Sequence, residues 1–191
     1  MFLLAAPSED LVRKFVFSQQ DLPFSYTEVG ATGNQLPAGY VIDHNRTKLG
    51  HGPEVFERAV AALRAWKQFD LGWVRIVPPG TPLEVGSIVA ILTRHFGFWS
   101  LNACRVVYLI SEDGPVKRFG FAYGTLSSHV ERGEERFAIE WHLDDGAVWY
   151  EILAFSRPNL FLVNLGLPLA RLLQRRFARE SLATMRKHCG S

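Results

Sequence analysis

The sequence predicts an α+β fold, a curved antiparallel sheet of about six or seven strands closed by a long C-terminal helix, on three observations. Residues Arg105 to Arg157 read as two successive β-hairpins. A long basic helix follows and runs almost to the end of the chain. Between and before these lie alternating apolar runs and turn residues in the order expected of a sheet wrapped around a helix, a layout whose interior often holds an apolar ligand.

The 191 residues are 48% hydrophobic, 21% charged and 13% aromatic, which excludes disorder and a coiled coil and suits one domain over residues 1–191, with 1–24 as an N-terminal helical extension. The net charge of +2 is unevenly spread: Arg171, Arg175, Arg176, Arg179, Arg186 and Lys187 face only Glu180 in the last helix. Such a stripe reads as a solvated helix face complementing the helix dipole, so no nucleic-acid partner is expected. Two cysteines, Cys104 and Cys189, make no disulfide framework and fit a reducing compartment. The start is too short for a secretory signal, and the longest apolar stretch, Leu160 to Ala170, falls short of the ~20 residues of a membrane span. These readings predict a cytoplasmic protein with no transmembrane segment.

Element by element, Ser8 with Glu9 and Asp10 behind it caps a helix carrying Leu11, Val12 and Phe15, which Pro23 ends. Ser25 to Gly39 is a loop. Its Gly30-Ala31-Thr32-Gly33 resembles a nucleotide-binding turn but lacks the preceding buried strand and the following amphipathic helix that such a turn requires. Tyr40 to Leu49 forms a strand, and Gly52-Pro53 opens a helix with Phe56, Ala59, Val60, Leu63 and Trp66 at helical spacing. Leu71–Val77 and Ser87–Leu92 are strands separated by Pro78-Pro79-Gly80, and Thr93 to Asn102 is either a bulged strand or a loop at a cavity mouth.

In the first hairpin a two-residue turn at Asp113-Gly114 pairs Tyr108 with Phe119 and Val106 with Phe121. Gly120, Ala122 and Gly124 leave the other face thin, as at a bend or a close neighbour. In the second, Asp145-Gly146 pairs Trp141 with Tyr150, Ile139 with Ile152 and Phe137 with Ala154. After Arg157-Pro158 a helix kinked near Pro168 carries Ala170, Leu173, Phe177, Ala178, Leu182 and Met185 on one face and Arg171, Arg175 and Arg179 on another.

The candidate pocket wall is then Phe121, Phe137, Ile139, Trp141, Tyr150 and Ile152, with polar groups from Arg94, His95 and Arg105. An alternative acid/base set is Glu140, His142 and Glu151, because the expected register sets the two carboxylates opposite one another. The six histidines show no metal-ligand spacing, and no Gly-x-Ser-x-Gly elbow occurs, so neither a metal nor a cofactor is expected. Three readings of function stay open: a binder of a small apolar molecule or lipid, an enzyme using the acid/base set, and an interaction module using the basic helix.

The blocks Phe69-Asp70-Leu71-Gly72-Trp73, Asn102-Ala103-Cys104-Arg105-Val106-Val107-Tyr108, Arg118-Phe119-Gly120-Phe121-Ala122-Tyr123-Gly124-Thr125-Leu126, Gly133-Glu134-Glu135-Arg136-Phe137, Ala154-Phe155-Ser156-Arg157-Pro158 and Gln174-Arg175-Arg176-Phe177 resemble the signature blocks of uncharacterised protein family 0548. The resemblance runs from about Phe24 to Lys187 and supplies no catalytic residues. The order of elements is also similar to the helix-grip fold of the START and Bet v 1 superfamily. That likeness implies a cavity for lipids, steroids or polyketides, and in some members cyclase or hydrolase chemistry.

Overall fold

A computed structural model of the protein describes residues 1–95, 97–158 and 167–190. The residues that lead into the expected kink near Pro168 (159–166), the side chains of residues 158–170, Ala170 among them, and Phe96 within the segment from Thr93 to Asn102 lie outside what is described. Strand β1 (Phe2–Leu3) precedes helix α1 (Glu9–Ser18), followed by β2 (Val41–His51), α2 (Pro53–Arg64), β3 (Val74–Val77), β4 (Ile88–Arg94), β5 (Trp99–Glu112), β6 (Val116–Thr125), β7 (Glu131–His142), β8 (Ala147–Pro158) and α3 (Leu167–Cys189). The strands form one curved antiparallel sheet in the order β2-β8-β7-β6-β5-β4-β3, with β1 added against β5.

Two cores lie on the two faces of this sheet. On the concave side Phe121, Phe137, Ile139, Tyr150 and Ile152 pack with Ala59 and Leu63 of α2, Phe69 of a short 3-10 turn, and Ala178, Met185 and Cys189 of α3. Burying each large side chain contributes about 1.5–3 kcal/mol. On the convex side Val12 and Phe15 of α1 cover Val77, Ala90, Leu92, Leu101 and Ala103. The Ser8 hydroxyl caps α1 by accepting from Leu11 N at 3.3 Å, as its sequence predicts. The helix therefore packs on the back of the sheet, away from α3.

The first hairpin departs from its expected register. Its last pair is Glu112 with Arg118, because Pro115 has no N–H with which to close a two-residue turn. Phe121 then faces Leu109, and a bulge between Val106 and Tyr108 reverses the side chains beyond it, so Val106 faces Tyr123 while Tyr108 moves to the convex side opposite Ala122. In the second hairpin Leu143 to Gly146 form the connection, and the pairing slips by two: Trp141 meets Val148, Ile139 meets Tyr150 and Phe137 meets Ile152. A slip of two preserves which face each residue occupies.

The thin positions of β6 do have a close neighbour. A Cβ on Gly124 would lie 2.0 Å from the Tyr26 hydroxyl, so the N-terminal loop crosses the back of the sheet in contact with its backbone. The 93–102 segment is a β4–β5 hairpin in which His95 N donates to Phe98 O at 2.8 Å and the two rings stack.

Candidate functional site

The convex face is occupied by the protein's own contacts. Gly30, with φ of 86°, and the 3-10 turn Ala31–Gly33 point backbone N–H groups at the buried Glu134 carboxylate: Gly30 N at 2.7 Å and Thr32 N at 3.0 Å, joined by the Tyr26 hydroxyl at 2.7 Å and the Thr32 hydroxyl. The loop that resembles a nucleotide-binding turn is thus an anion nest filled by Glu134.

Glu140, His142 and Glu151 are on this face too, and the slipped register separates the carboxylates, with Glu140 opposite Trp149 and Glu151 opposite Ala138. Glu151 accepts from Arg136 at 2.5 Å and contacts His44 at 3.1 Å. Burial alone would raise its pKa, but Arg136 and His44 more than reverse that and hold it below the usual carboxylate range. Glu140 takes Arg46 at 2.7 Å and Arg118 at 2.9 Å, with His142 at 3.5 Å. The expected direct opposition of the two carboxylates is corrected: they stand apart in an ion-pair lattice on the back of the sheet.

On the concave side, a cavity of about 590 Å³ opens at one end of the sheet beside α3. This lies within the ~300–1,000 Å³ usual for small-molecule sites. Its apolar walls are Ile152 of β8, Phe69, Val74 of β3, Ile91 of β4, and Phe177 and Leu182 of α3. Its polar groups include Asp43 and Asn45 of β2, Tyr123 of β6, Glu131 and Glu135 of β7, and Gln174 of α3.

Glu135 accepts from the Tyr123 hydroxyl at 2.6 Å. Burial raises its carboxyl to about 7; the Tyr123 bond offsets part of the rise and the charges of Glu131 and Asp43 add to it. Glu131 is also raised by burial, against the lowering effect of Gln174 and Arg171. A group with a pKa near 7 can hold or release a proton at neutral pH, and here it does so facing a cavity.

Of the six residues expected to form the wall, Ile152 lines this cavity. Phe121, Phe137, Ile139 and Tyr150 are packed core, Tyr150 hydrogen-bonding Ser181 of α3 at 3.0 Å, and Trp141 is half-buried against Phe56 with ring centroids 5.7 Å apart. Helix α2 fills that end of the sheet, which moves the cavity to the other end. Of the expected polar groups, His95 lines the cavity and bonds Ser100 at 2.9 Å. Arg105 instead turns to the convex side, where it donates to Gln20 O at 2.7 Å just past α1, and Arg94 lies exposed near Trp99. Both have the opposite strand parity to the cavity residues Ser100, Asn102 and Thr93.

Within the basic helix, Arg171 bonds Asp43 at 3.3 Å and Arg176 bonds Glu180 at 2.8 Å, while Arg175, Arg179 and Arg186 stay exposed at the cavity rim. Among the described residues no helix is long and apolar enough to cross a membrane, and no three His, Cys, Asp or Glu side chains converge on a metal position.

The chain is 39% identical to a UPF0548 protein of Dictyostelium discoideum, covering 100% of this chain and 97% of that protein. It is 40% identical to a UPF0548 protein of Deinococcus radiodurans, covering 94% of each. Among solved structures, a hypothetical protein from Helicobacter pylori superposes with a TM-score of 0.52 at 14% identity over 82% of this chain and 90% of that one, which shows a shared fold. Residues 25–184 match the family described as a domain of unknown function, DUF1990, and with the UPF0548 relatives this places the chain in that family.

Proposed function

We propose that the protein binds a small amphipathic molecule in the cavity between the open end of the sheet and α3. One observation carries this reading: an apolar chamber of about 590 Å³ that has Glu135, a carboxyl titrating near 7, in its wall. Apolar surface left unfilled forgoes burial free energy, and a carboxyl removed from water is costly unless something compensates it. A ligand with an apolar body and one polar end satisfies both conditions. The acid/base set of Glu140, His142 and Glu151 has no part in it, since all three are engaged on the other face.

The test is native mass spectrometry of the protein purified from two unrelated expression hosts, with solvent extraction of any bound molecule. A co-purifying small amphipath that is displaced in the Ile152→Trp variant supports the reading. Its retention by that variant places the molecule elsewhere and contradicts the reading.

A further inference from the structure

Strand register sets the carboxyls at the polar end of the cavity. On the concave face Asp43, Ala154, Glu135 and Tyr123 occupy one row across β2, β8, β7 and β6. Asp43 and Glu135 therefore flank the Ala154 methyl two strand spacings apart, roughly 10 Å between Cα atoms. Glu131, four residues before Glu135 on β7, shares that face. Between the three, Ala154, Ser156 and Gly133 carry little side chain, and all line the cavity.

Arginines line the cavity, Arg132 beside Glu131 on β7 among them, but few of them meet these carboxyls directly. Arg171 reaches Asp43 at 3.3 Å but is shared with Gln174 at 2.6 Å. Glu131 is held by the neutral Gln174 amide at 3.0 and 2.8 Å. No cation among the described residues lies within ion-pair distance of Glu135, whose hydrogen-bond donor is the Tyr123 hydroxyl. The histidines nearby add none: burial pushes His129 down to about 4 and lowers His95 as well.

A second observation points the same way. Asn102, 9% exposed, lines the same cavity; its amide nitrogen donates to Ser100 at 3.2 Å, and its buried Oδ1 has no partner. A buried acceptor without a donor is uncommon in folded proteins. Asn102 Oδ1 thus adds an unmet acceptor to the cavity that holds the carboxyls, which a ligand head rich in donors would meet.

We propose that this end of the cavity receives the protonated amine of an amphipathic ligand, the ammonium seated among Asp43, Glu131 and Glu135 and the apolar body lying along Ile152, Phe69 and Phe177. The inference rests on the cavity-binding reading and adds the charge of the ligand. An ammonium brings three donors and no acceptor, the complement of this wall, whereas a carboxylate would add a further like charge to the cluster.

The groups around Glu135 are Glu131 on β7, Tyr123 on β6, Cys104 on β5, Tyr150 on β8 and Asp43 on β2, with Arg171 of α3 beside Asp43; His129, Arg132 of β7, and Arg175, Arg179 and Arg186 of α3 also line the cavity. Burial pushes Cys104, Tyr123 and Tyr150 up, so they stay neutral between pH 6 and 8.5. Glu135 ionises on passing about 7. Amine affinity should therefore strengthen as pH rises through that value, by up to about tenfold per pH unit, while a neutral ligand shows no such dependence.

Isothermal titration of the full chain with octylamine, 1-octanol and octanoate at pH 6 and pH 8 tests this. At pH 8 octylamine should bind about tenfold or more tighter than octanol, and octanoate more weakly than either. The amine preference should shrink at pH 6 and fall to within about threefold in Glu135→Gln. If that variant does not fold, the pH profile of the wild type still decides. Octanol or octanoate binding as tightly as octylamine, with all binding lost in Ile152→Trp, overturns the amine assignment and leaves the cavity reading standing. Octylamine binding that survives Ile152→Trp overturns both. Failure of all three ligands overturns the amine assignment, and the co-purification result then judges the cavity alone.

Discussion

Glu135→Gln should make the protein more stable at pH 8 and leave it nearly unchanged at pH 4.5. In the unfolded chain a glutamate loses its proton near 4.5; in the folded protein Glu135 keeps it until about 7. Between these values the folded state binds the extra proton, so its stability falls as pH rises through the window and levels off above it. The full difference corresponds to about 3 kcal/mol at 1.36 kcal/mol per pH unit. Because the carboxyl faces a cavity that water can enter, we expect a gain of about 1–3 kcal/mol for the glutamine variant at pH 8. Glutamine can still accept the Tyr123 hydrogen bond, which isolates the charge as the variable. Urea denaturation of both proteins at pH 4.5, 6, 7 and 8 reads the effect. A stability difference that does not change with pH, or a wild type more stable than the variant at pH 8, would refute the assignment of a buried, proton-holding carboxyl.

Three further outcomes follow from the packing. Glu134→Ala removes the acceptor shared by Gly30 N, Thr32 N and Tyr26, and should cost about 3 kcal/mol and open residues 24–40 to limited proteolysis; an unchanged digestion pattern would count against the nest. Gly124→Ala sets a methyl against the Tyr26 hydroxyl and should destabilise by about 1–3 kcal/mol in chemical denaturation, unless Tyr26 can move without leaving Glu134. Phe177→Ala should cost about 1–3 kcal/mol, below the value for a fully buried ring because one side of Phe177 faces the cavity, while exposed Arg179→Ala should stay within about 0.5 kcal/mol. Equal losses for the two would mean that α3 is rotated on the sheet.

The order of elements was legible because hydrophobic alternation and turn residues are local signals. Membership of the concave face in the second hairpin was legible for a different reason. The actual connection runs over Leu143 to Gly146, and the resulting slip of two keeps Phe137, Ile139, Tyr150 and Ile152 on one side. In the first hairpin Pro115 was a readable sign against the tight turn, whereas the bulge before Tyr108, which reverses one stretch of side chains, left no local mark. Which end of the sheet would remain open depends on where α2 packs, and that is a tertiary fact. Glu135 was missed although a signal existed: it has the same strand parity as Phe137 and Ile139, so an acid stood in the inward register of an otherwise apolar face. Tyr123 has the corresponding parity with Phe121. Asp43 and Asn45 are harder to find, because β2 carries polar residues on both faces and only its pairing with β8 turns these two inward.

A crystal structure of the protein grown with octylamine at pH 8 shows whether the cavity seats an amine. Density is expected within the cavity, with the amine nitrogen about 3 Å from a Glu135 oxygen and the chain running past Ile152 toward Phe177. A cavity free of ligand while octylamine sits on the outer surface, at a concentration that saturates binding in solution, would contradict that placement.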